Sequence, residues 1–184
     1  MLVDEVYLEA MFGSAPKSAI SFGPEFVVTS SLTKGYGLSG LRCGWIFAEP
    51  PLAEKIRRLD AIFAASAPNV MERMSVAALN RLSKIAARAK SMLETNRKTL
   101  QVFFGSRDDV ESVPAQFGTT SFPRLPHVDV EKLYALLIEK YETAVVPGRF
   151  FESPQHIRIG MCCQPENFSA GVEQLGFAID RLRR

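Results

Sequence analysis

Apolar residues in the first fifty positions fall into three short runs. Residues 3–8, 26–31 and 44–48 are rich in β-branched and aromatic side chains, and glycine and proline interrupt the chain between them. Short apolar runs bounded by such residues are typical of β-strands. The pattern therefore predicts three strands with little helix between them. Three strands alone cannot cover both faces of a sheet, so we expect further structure to accompany them.

Helical spacing of apolar positions begins at residue 50. Two prolines open the first predicted helix, since proline is tolerated in the first turn. Its apolar stripe consists of Leu52, Ile56, Leu59 and Phe63. After a break at residues 67–69, a longer periodic segment covers residues 70–103. It predicts one helix of roughly thirty-odd residues, about three times the mean globular length. A helix of that length is expected to link two lobes.

The pattern changes to mixed strands and helices after Gly105. The predicted order is strands at 110–113 and 119–122, a helix at 130–140, strands at 143–146 and 157–162, and a helix at 168–182. Asp129 precedes the first of these helices, at a position that favours aspartate as an N-cap. These elements predict a small α+β domain of about eighty residues. The predicted division of the chain is an α/β partial large domain at 1–66, a long interdomain helix at 67–104 and a C-terminal small domain at 105–184.

Composition and charge exclude several classes of function. The chain has 184 residues and a formal charge of +2, and its basic residues are scattered. Nucleic-acid binding requires Lys and Arg clustered on one face, so the sequence does not predict it. No apolar run approaches the ~20 residues of a membrane span. The N-terminus is acidic where a secretory signal is basic, which favours a cytoplasmic protein. Three cysteines and two histidines are not spaced as a metal site or a disulfide framework, so no metal is expected.

Candidate chemistry lies at the ends of the first two predicted strands. Asp4 and Tyr7 end one strand, and the segment containing Ser31, Thr33 and Lys34 follows another. Taken singly, each is an ordinary strand end or a polar loop. Ligands bind beyond the carboxyl ends of strands in open α/β sheets, so these side chains can share one pocket. With Arg42 they supply an amine, an acid, a phenol, hydroxyls and a guanidinium, which are the groups that pyridoxal phosphate (PLP) requires.

Three motifs in the first part of the chain occur in a fixed order. They are Asp-Glu-Val-Tyr at 4–7, Ser-Leu-Thr-Lys at 31–34 and Gly-Leu-Ser-Gly-Leu-Arg-Cys-Gly-Trp at 37–45. This order resembles the signature of class I/II aminotransferases of the fold-type I PLP-dependent family. Val-Pro-Gly at 146–148 and His-Ile-Arg-Ile-Gly at 156–160 resemble that family's small-domain motifs. The resemblance covers essentially the whole chain. It implies the C-terminal part of the fold-type I large domain, followed by a linking helix and the small domain.

The resemblance implies a role for each matching residue. Lys34 is the expected catalytic residue: it would bind PLP as a Schiff base and then shuttle a proton, a role for which we expect it to be buried. Asp4 would keep the pyridine nitrogen protonated, and Tyr7 would hydrogen-bond the ring's 3-oxygen. The expected phosphate ligands are Ser31, Thr33 and Arg42.

The resemblance also implies roles for two further residues. Arg158 would clamp the substrate α-carboxylate, although an arginine on an alternating strand often only covers the sheet with its stem. Asn69 lies where family members place residues near the dimer interface, and the resemblance implies a homodimer.

The resemblance also implies what this chain lacks. The family's large domain normally places several more strands and helices before the Asp-x-x-Tyr strand, and these complete the cofactor's pocket. We therefore expect a fragment of a longer PLP-dependent enzyme, inactive or weakly active alone, which transfers an amino group between an amino acid and a 2-oxo acid. A lyase, synthase or decarboxylase of the same fold is an alternative, as is a non-catalytic dimerisation module.

Overall fold

A computed structural model describes residues 1–63 and 68–183 of the chain. Within that part, the chain divides into two units, Met1–Lys90 and Ser91–Arg184, and the boundary falls inside a helix. The predicted break between the first two helices includes Ala67, which lies outside the described residues. The three-part division at 66/67 and 104/105 stays a prediction.

The first unit contains a three-stranded sheet. Its strands are β1 (Leu2–Asp4), β2 (Val27–Ser31) and β3 (Gly44–Phe47), in the order β1-β2-β3. β1 and β2 are parallel, with Asp4 opposite Thr29, whereas β2 and β3 are antiparallel. The predicted strands at 26–31 and 44–48 are thus confirmed to within one residue at their ends. β2 lies centrally, and its parallel partner brings the carboxyl ends of β1 and β2 to the same edge.

β1 is shorter than the predicted strand at 3–8, and this prediction was wrong beyond Asp4. The Asp4 carboxylate accepts a hydrogen bond of 3.2 Å from the main-chain N–H of Val6, a local contact that turns the chain. A 3₁₀ helix at Leu8–Ser14 follows directly. Tyr7 therefore lies in the turn between the strand and this helix, and not within a strand.

The long predicted helix is two helices. After α1 (Pro50–Phe63) come α2 (Asn69–Leu79) and α3 (Leu82–Gly105). The main-chain N–H of Arg81 donates to the carbonyl of Ala78 at 2.9 Å, three residues back, so the regular ladder is interrupted there. Asparagine at position 80 favours this interruption because it is a poor helix former. Helical spacing of apolar residues does not register such a local break. Among the described residues, no helix is both long and apolar enough to cross a membrane.

Apolar side chains remain exposed on the first unit. α1 buries none of its residues, and Ile62 and Phe63 are 74% and 83% exposed. On β3, Ile46 and Phe47 are about half exposed. The first unit therefore exposes apolar side chains on its sheet and on its first helix, as expected of three strands that need further structure to cover them.

The second unit packs two helices with a small antiparallel sheet. Its strands β4 (Thr120–Ser121), β5 (Val146–Pro147) and β6 (Ile157–Gly160) have the order β4-β6-β5. α4 (Val130–Tyr141) and α5 (Pro165–Leu182) pack together. The largest fully buried apolar side chains include Leu93, Leu125, Leu133, Leu137, Ile157, Met161 and Ile179. Alternation on β6 buries Ile157 and Ile159 and exposes Arg158 between them.

Predictions for the second unit succeed for helices better than for strands. Asp129 caps α4 as expected, accepting from the N–H groups of Glu131 and Lys132 at 3.0 and 3.2 Å. The predicted strand at 110–113 was wrong: Glu111 forms only an isolated bridge to Arg124. The predicted strand at 143–146 shifts to Val146–Pro147. Both segments form only one or two strand pairings, so whether they become strands is decided by tertiary contacts and not by local sequence.

Candidate active site

Asp4 lies at the carboxyl end of β1 and is held by its neighbours. One carboxylate oxygen, Oδ1, accepts from the Thr29 hydroxyl at 3.1 Å and from the Val6 N–H at 3.2 Å. The Thr29 hydroxyl thus fixes the carboxylate against the neighbouring strand. Within the described residues, Oδ2 accepts no hydrogen bond and remains available to a ligand donor. An aspartate oriented in this way can pair with a protonated ring nitrogen.

Two hydroxyl groups lie together where β2 ends. The oxygens of Ser31 and Thr33 are 2.6 Å apart, and the Thr33 N–H donates to the Ser31 oxygen at 3.3 Å. This contact is the local turn that serine commonly makes with the main chain two residues on. It presents both hydroxyls on one short segment just before Lys34. Paired hydroxyls of this kind can donate to a phosphate group.

The loop that carries Lys34 is closed by main-chain bonds. The Leu38 N–H donates to the Leu32 carbonyl at 2.9 Å, and the Gly37 N–H donates to the Lys34 carbonyl at 3.2 Å. Gly37 has a φ of 69°, a left-handed conformation that glycine adopts without steric cost. A closed loop fixes the direction in which the Lys34 side chain leaves the backbone.

Lys34 lies beside the tyrosine of the first motif. Its Nζ is 5.9 Å from the centroid of the Tyr7 ring. The side chain is exposed and makes no hydrogen bond or ion pair among the described residues. The expected burial of this lysine is therefore not present in this chain. An accessible primary amine next to a phenol can still condense with an aldehyde.

Arg42 follows a short 3₁₀ helix at Ser39–Leu41 and has a left-handed backbone, with φ of 50°. Its guanidinium makes one long hydrogen bond of 3.5 Å, to the Ser39 carbonyl. A bond of that length is weak, so most of the five guanidinium donors remain available to an anion. The left-handed backbone lets the chain reverse from the loop into β3.

The predicted residues of the first unit form contacts in two pairs. These are Lys34 with Tyr7, and Ser31 with Thr33. Among the described residues, Asp4 and Arg42 neither hydrogen-bond nor ion-pair with another predicted site residue. The unused acceptor oxygen of Asp4 and the unused N–H donors of Arg42, together with the amine and the hydroxyl pair, fit the groups that PLP needs. The individual roles stay predictions.

Arg158 and Asn69 lie in different units of the chain. Arg158 projects from β6 and is exposed, with its guanidinium carbon 5.2 Å from the centroid of the Phe151 ring. Stacking on the ring holds the guanidinium and leaves its N–H edges available to a carboxylate. Asn69 is the exposed first residue of α2. Its place at a dimer interface and the role of Arg158 both stay predictions.

Sequence reasoning missed one acidic residue next to the site. Glu9, two residues after Tyr7, accepts a hydrogen bond of 2.8 Å from the Ser30 hydroxyl. Burial raises the pKa of Glu9, and the nearby Glu5 carboxylate adds to this effect, while the Ser30 hydrogen bond opposes it. An acidic residue within an otherwise apolar and aromatic segment is the signal that could have singled it out.

Comparison with known proteins gives a consistent family. A family model described as "Aminotransferase class I and II" matches residues 1–175. Capreomycidine synthase from Streptomyces vinaceus is 30% identical over 152 residues, covering 79% of this chain and 39% of that protein. An aspartate aminotransferase from Streptomyces avermitilis is 24% identical over an alignment of 192 residues, covering 95% of this chain and 47% of that protein. The chain thus spans less than half the length of these two relatives.

Solved structures resemble the chain over its whole length. A PLP-dependent aminotransferase from Streptococcus suis 89-1591 matches with a TM-score of 0.91 and 26% identity, over 100% of this chain and 49% of that one. The PLP-dependent cyclase OrfR matches with a TM-score of 0.88 and 22% identity, over 98% of this chain and 50% of that one, a likeness of fold. The predicted fold, part of a fold-type I PLP-dependent transferase, is confirmed. Because the family model spans nearly the whole chain, this protein belongs to the class I and II aminotransferase family, whose cofactor is pyridoxal phosphate.

Proposed function

We propose that this chain supplies the covalent lysine and part of the cofactor pocket of an enzyme that transfers an amino group between an amino acid and a 2-oxo acid. The observation that carries the proposal is the placement of Lys34. Its amine lies over the Tyr7 ring, on a closed loop directly after the hydroxyl pair of Ser31 and Thr33. The class I and II aminotransferase match supports the same chemistry.

Each residue then has a chemical task. When bound, the cofactor supplies an electron sink for the bonds at the substrate's Cα. Lys34 would hold the cofactor covalently through Nζ and would move a proton at the substrate's Cα. Asp4 keeps the ring nitrogen protonated through its unused carboxylate oxygen, and Tyr7 donates to the ring's 3-oxygen. The phosphate is held by Ser31, Thr33 and Arg42.

Substrate recognition is assigned to Arg158. Its guanidinium, stacked on Phe151, binds the α-carboxylate common to amino acids and 2-oxo acids through two parallel hydrogen bonds. We further propose that the whole protein is a cytoplasmic homodimer. Binding, orientation and proton movement are shared between this chain's residues and groups that complete the pocket in the whole protein.

A second candidate function is a synthase or cyclase reaction on an amino acid. Capreomycidine synthase is 30% identical to this chain, and the solved structure of a PLP-dependent cyclase has the same fold. The fate of the substrate after Cα–H cleavage depends on groups outside the residues that the family shares. An assay with an amino acid and an added 2-oxo acid distinguishes the two functions. Amino-group transfer converts the amino acid to its 2-oxo acid and aminates the added acceptor in equal amount, whereas cyclisation does not.

Covalent binding at Lys34 tests the proposal. The purified chain is incubated with PLP, the product is reduced with borohydride, and the modified lysine is located by peptide mass spectrometry. We expect an absorbance band in the visible range and modification at Lys34. Lys34→Ala removes both, whereas Lys17→Ala, at an exposed lysine outside the site, retains them. Equal labelling of several lysines, or no change in Lys34→Ala, supports a non-catalytic module instead.

A further inference from the structure

Glu9 connects the two segments that carry the candidate site. It lies on the 3₁₀ helix Leu8–Ser14, which follows the Tyr7 turn, and its carboxylate accepts from the Ser30 hydroxyl at 2.8 Å. Ser30 is 7% exposed and directly precedes Ser31 on β2. This bond therefore joins the segment after Tyr7 to the strand that leads into the hydroxyl pair and Lys34.

The loop after Lys34 packs on the backbone at Glu9. A Cβ atom placed on Gly35 would lie 3.1 Å from the main-chain nitrogen of Ala10 and 3.3 Å from the Cβ of Glu9. Gly35 and Ala10 are both buried. The absence of a side chain at position 35 thus lets the loop lie directly against the helix. Glu9 contacts the structure on both sides of the Lys34 segment, through its carboxylate and through its backbone.

The surroundings of the Glu9 carboxylate are acidic and polar. Glu5 lies on the turn before the helix, Ser30 on β2, and Tyr36 on the loop after Lys34. Burial is the main cause that raises the pKa of Tyr36, and the negative charge of Glu9 adds to it. Glu5 accepts a hydrogen bond of 2.7 Å from the Ala19 N–H. No cation pairs with Glu9 among the described residues, so the Ser30 hydroxyl is the group that fixes its direction.

We propose that Glu9 is a positioning residue for Lys34: by bonding to Ser30 while its backbone supports Gly35, it holds the Lys34 amine over the Tyr7 ring. The proposal rests on the proposed function, because the position of this amine matters for covalent attachment of the cofactor. Glu9 does not touch the amine itself. It acts through the helix, the strand and the loop, and it needs an acceptor oxygen for the Ser30 hydroxyl.

The position of the Lys34 side chain can be tested without any cofactor. Because the Lys34 Nζ lies 5.9 Å from the centroid of the Tyr7 ring, we expect the ring to shift the NMR resonances of the Lys34 methylene protons, and this ring-current shift would report their proximity. We expect the shift to be lost in Glu9→Ala and in Ser30→Ala, and kept in Glu9→Gln, which retains an acceptor oxygen. The double variant should lose no more than either single variant, because the two groups act as one unit.

The consequence for attachment is measured separately, as the rate of PLP capture at Lys34 followed by borohydride trapping. Misplacement of the amine in Glu9→Ala should slow this rate about tenfold, and Glu9→Gln should restore it. Val28→Ala is the control for general destabilisation, since Val28 is buried on the same strand but takes no part in the hydrogen bond between Ser30 and Glu9. It should lower stability while retaining the Lys34 shift.

The outcomes separate the two proposals. If Lys34 keeps its shift in folded Glu9→Ala and Ser30→Ala, the positioning role is overturned. If Val28→Ala loses the shift to the same extent, the effect is general instability and the role is likewise overturned. If the shift behaves as expected but PLP is never captured at Lys34, the geometry stands and the proposed function fails. Should Glu9→Ala not fold, Ser30→Ala and Glu9→Gln decide the question.

Discussion

In the second unit, the side-chain amide of Asn96 donates a hydrogen bond of 2.8 Å to the main-chain carbonyl of Met161. The same nitrogen donates to the carbonyl of Cys163, also at 2.8 Å. Asn96 is fully buried on α3, and Met161 directly follows β6. One side chain therefore satisfies two carbonyls where the chain leaves the strand that carries Arg158.

Replacing Asn96 should destabilise the protein. Asn96→Ala leaves the Met161 and Cys163 carbonyls without their donor, and we expect a loss of about 2–3 kcal/mol in the free energy of unfolding. Urea unfolding followed by circular dichroism measures this loss. Thr95→Ala is the matched control, because Thr95 is exposed on the same helix and bonds only to the preceding turn. Equal effects of the two substitutions would contradict the bridging role.

The elements that could be predicted from the sequence are those whose cause is local. α4 begins where expected because Asp129 caps it, and β2 is confirmed because its apolar run is bounded by turn residues. The strand at 3–8 was drawn too long because apolar and aromatic residues continue past Asp4. The Asp4 side chain captures the Val6 N–H and turns the chain. Because the spacing of apolar residues does not report hydrogen bonds between side chain and backbone, it could not predict this end of the strand.

The candidate site shows the same limit. Motif order selected Lys34, Tyr7, Ser31 and Thr33, and the structure brings these together in two pairs. The bond between Glu9 and Ser30 joins residues 21 positions apart, and nothing in either residue's neighbours indicates the other. The burial expected for Lys34 failed for a physical reason: the first unit alone leaves much of its apolar and site surface uncovered.

A buried carboxylate should make stability depend on acid pH. Asp109 is 1% exposed and accepts two hydrogen bonds of 2.8 Å from Arg107. These bonds hold the pKa of Asp109 below its ordinary value of 3.8, although burial acts in the opposite direction. The ionised Asp109 therefore stabilises the folded protein fully at pH values above the pKa that this residue has in the unfolded chain. This stabilisation is lost as the pH falls through the lower folded-state pKa, because the unfolded chain takes up a proton first.

The substitution Asp109→Asn tests this dependence. At pH 7 it removes one charged partner of Arg107, which still pairs with Asp180, and should cost about 2 kcal/mol. The difference in unfolding free energy between the variant and the wild type should become smaller as the pH falls below about 4. The reason is that the wild type loses the stabilisation by the Asp109 carboxylate in that range. Asp60→Asn is the control, because Asp60 is exposed on α1, in the other unit of the chain. A difference that stays constant from neutral to acidic pH would rule out the ionised Asp109 as its source.

Gly148 should not tolerate a side chain. A Cβ atom there would lie 2.0 Å from the Ser153 carbonyl oxygen and 2.5 Å from that of His156. Both oxygens belong to the main chain and cannot move without disturbing the turn before β6. We expect Gly148→Ala to cost at least ~2 kcal/mol.

A second glycine gives the control for Gly148. On α5, a Cβ at Gly171 would meet only the Thr143 methyl group, at 3.8 Å. Gly171→Ala should therefore stabilise the protein by up to about 1 kcal/mol, since alanine favours helices. Thermal unfolding of both variants measures whether Gly148→Ala lowers the stability and Gly171→Ala raises it. Destabilisation by both to the same degree would show that close approach at Gly148 is not the cause.

The hydroxyl of Ser31 should act on the phosphate of the cofactor and not on its ring. If it donates to the phosphate, Ser31→Ala should weaken binding of PLP about tenfold, the loss expected for a hydrogen bond to a charged group. Pyridoxal, which lacks the phosphate, should bind the variant and the wild type equally. Absorbance titration of the purified chain with each aldehyde measures both affinities. Ser39→Ala, at an exposed serine on the neighbouring 3₁₀ helix, should change neither. Because the Ser31 oxygen also contacts Thr33, equal weakening of both aldehydes would show that the hydroxyl shapes the Lys34 loop and leaves the phosphate to other donors.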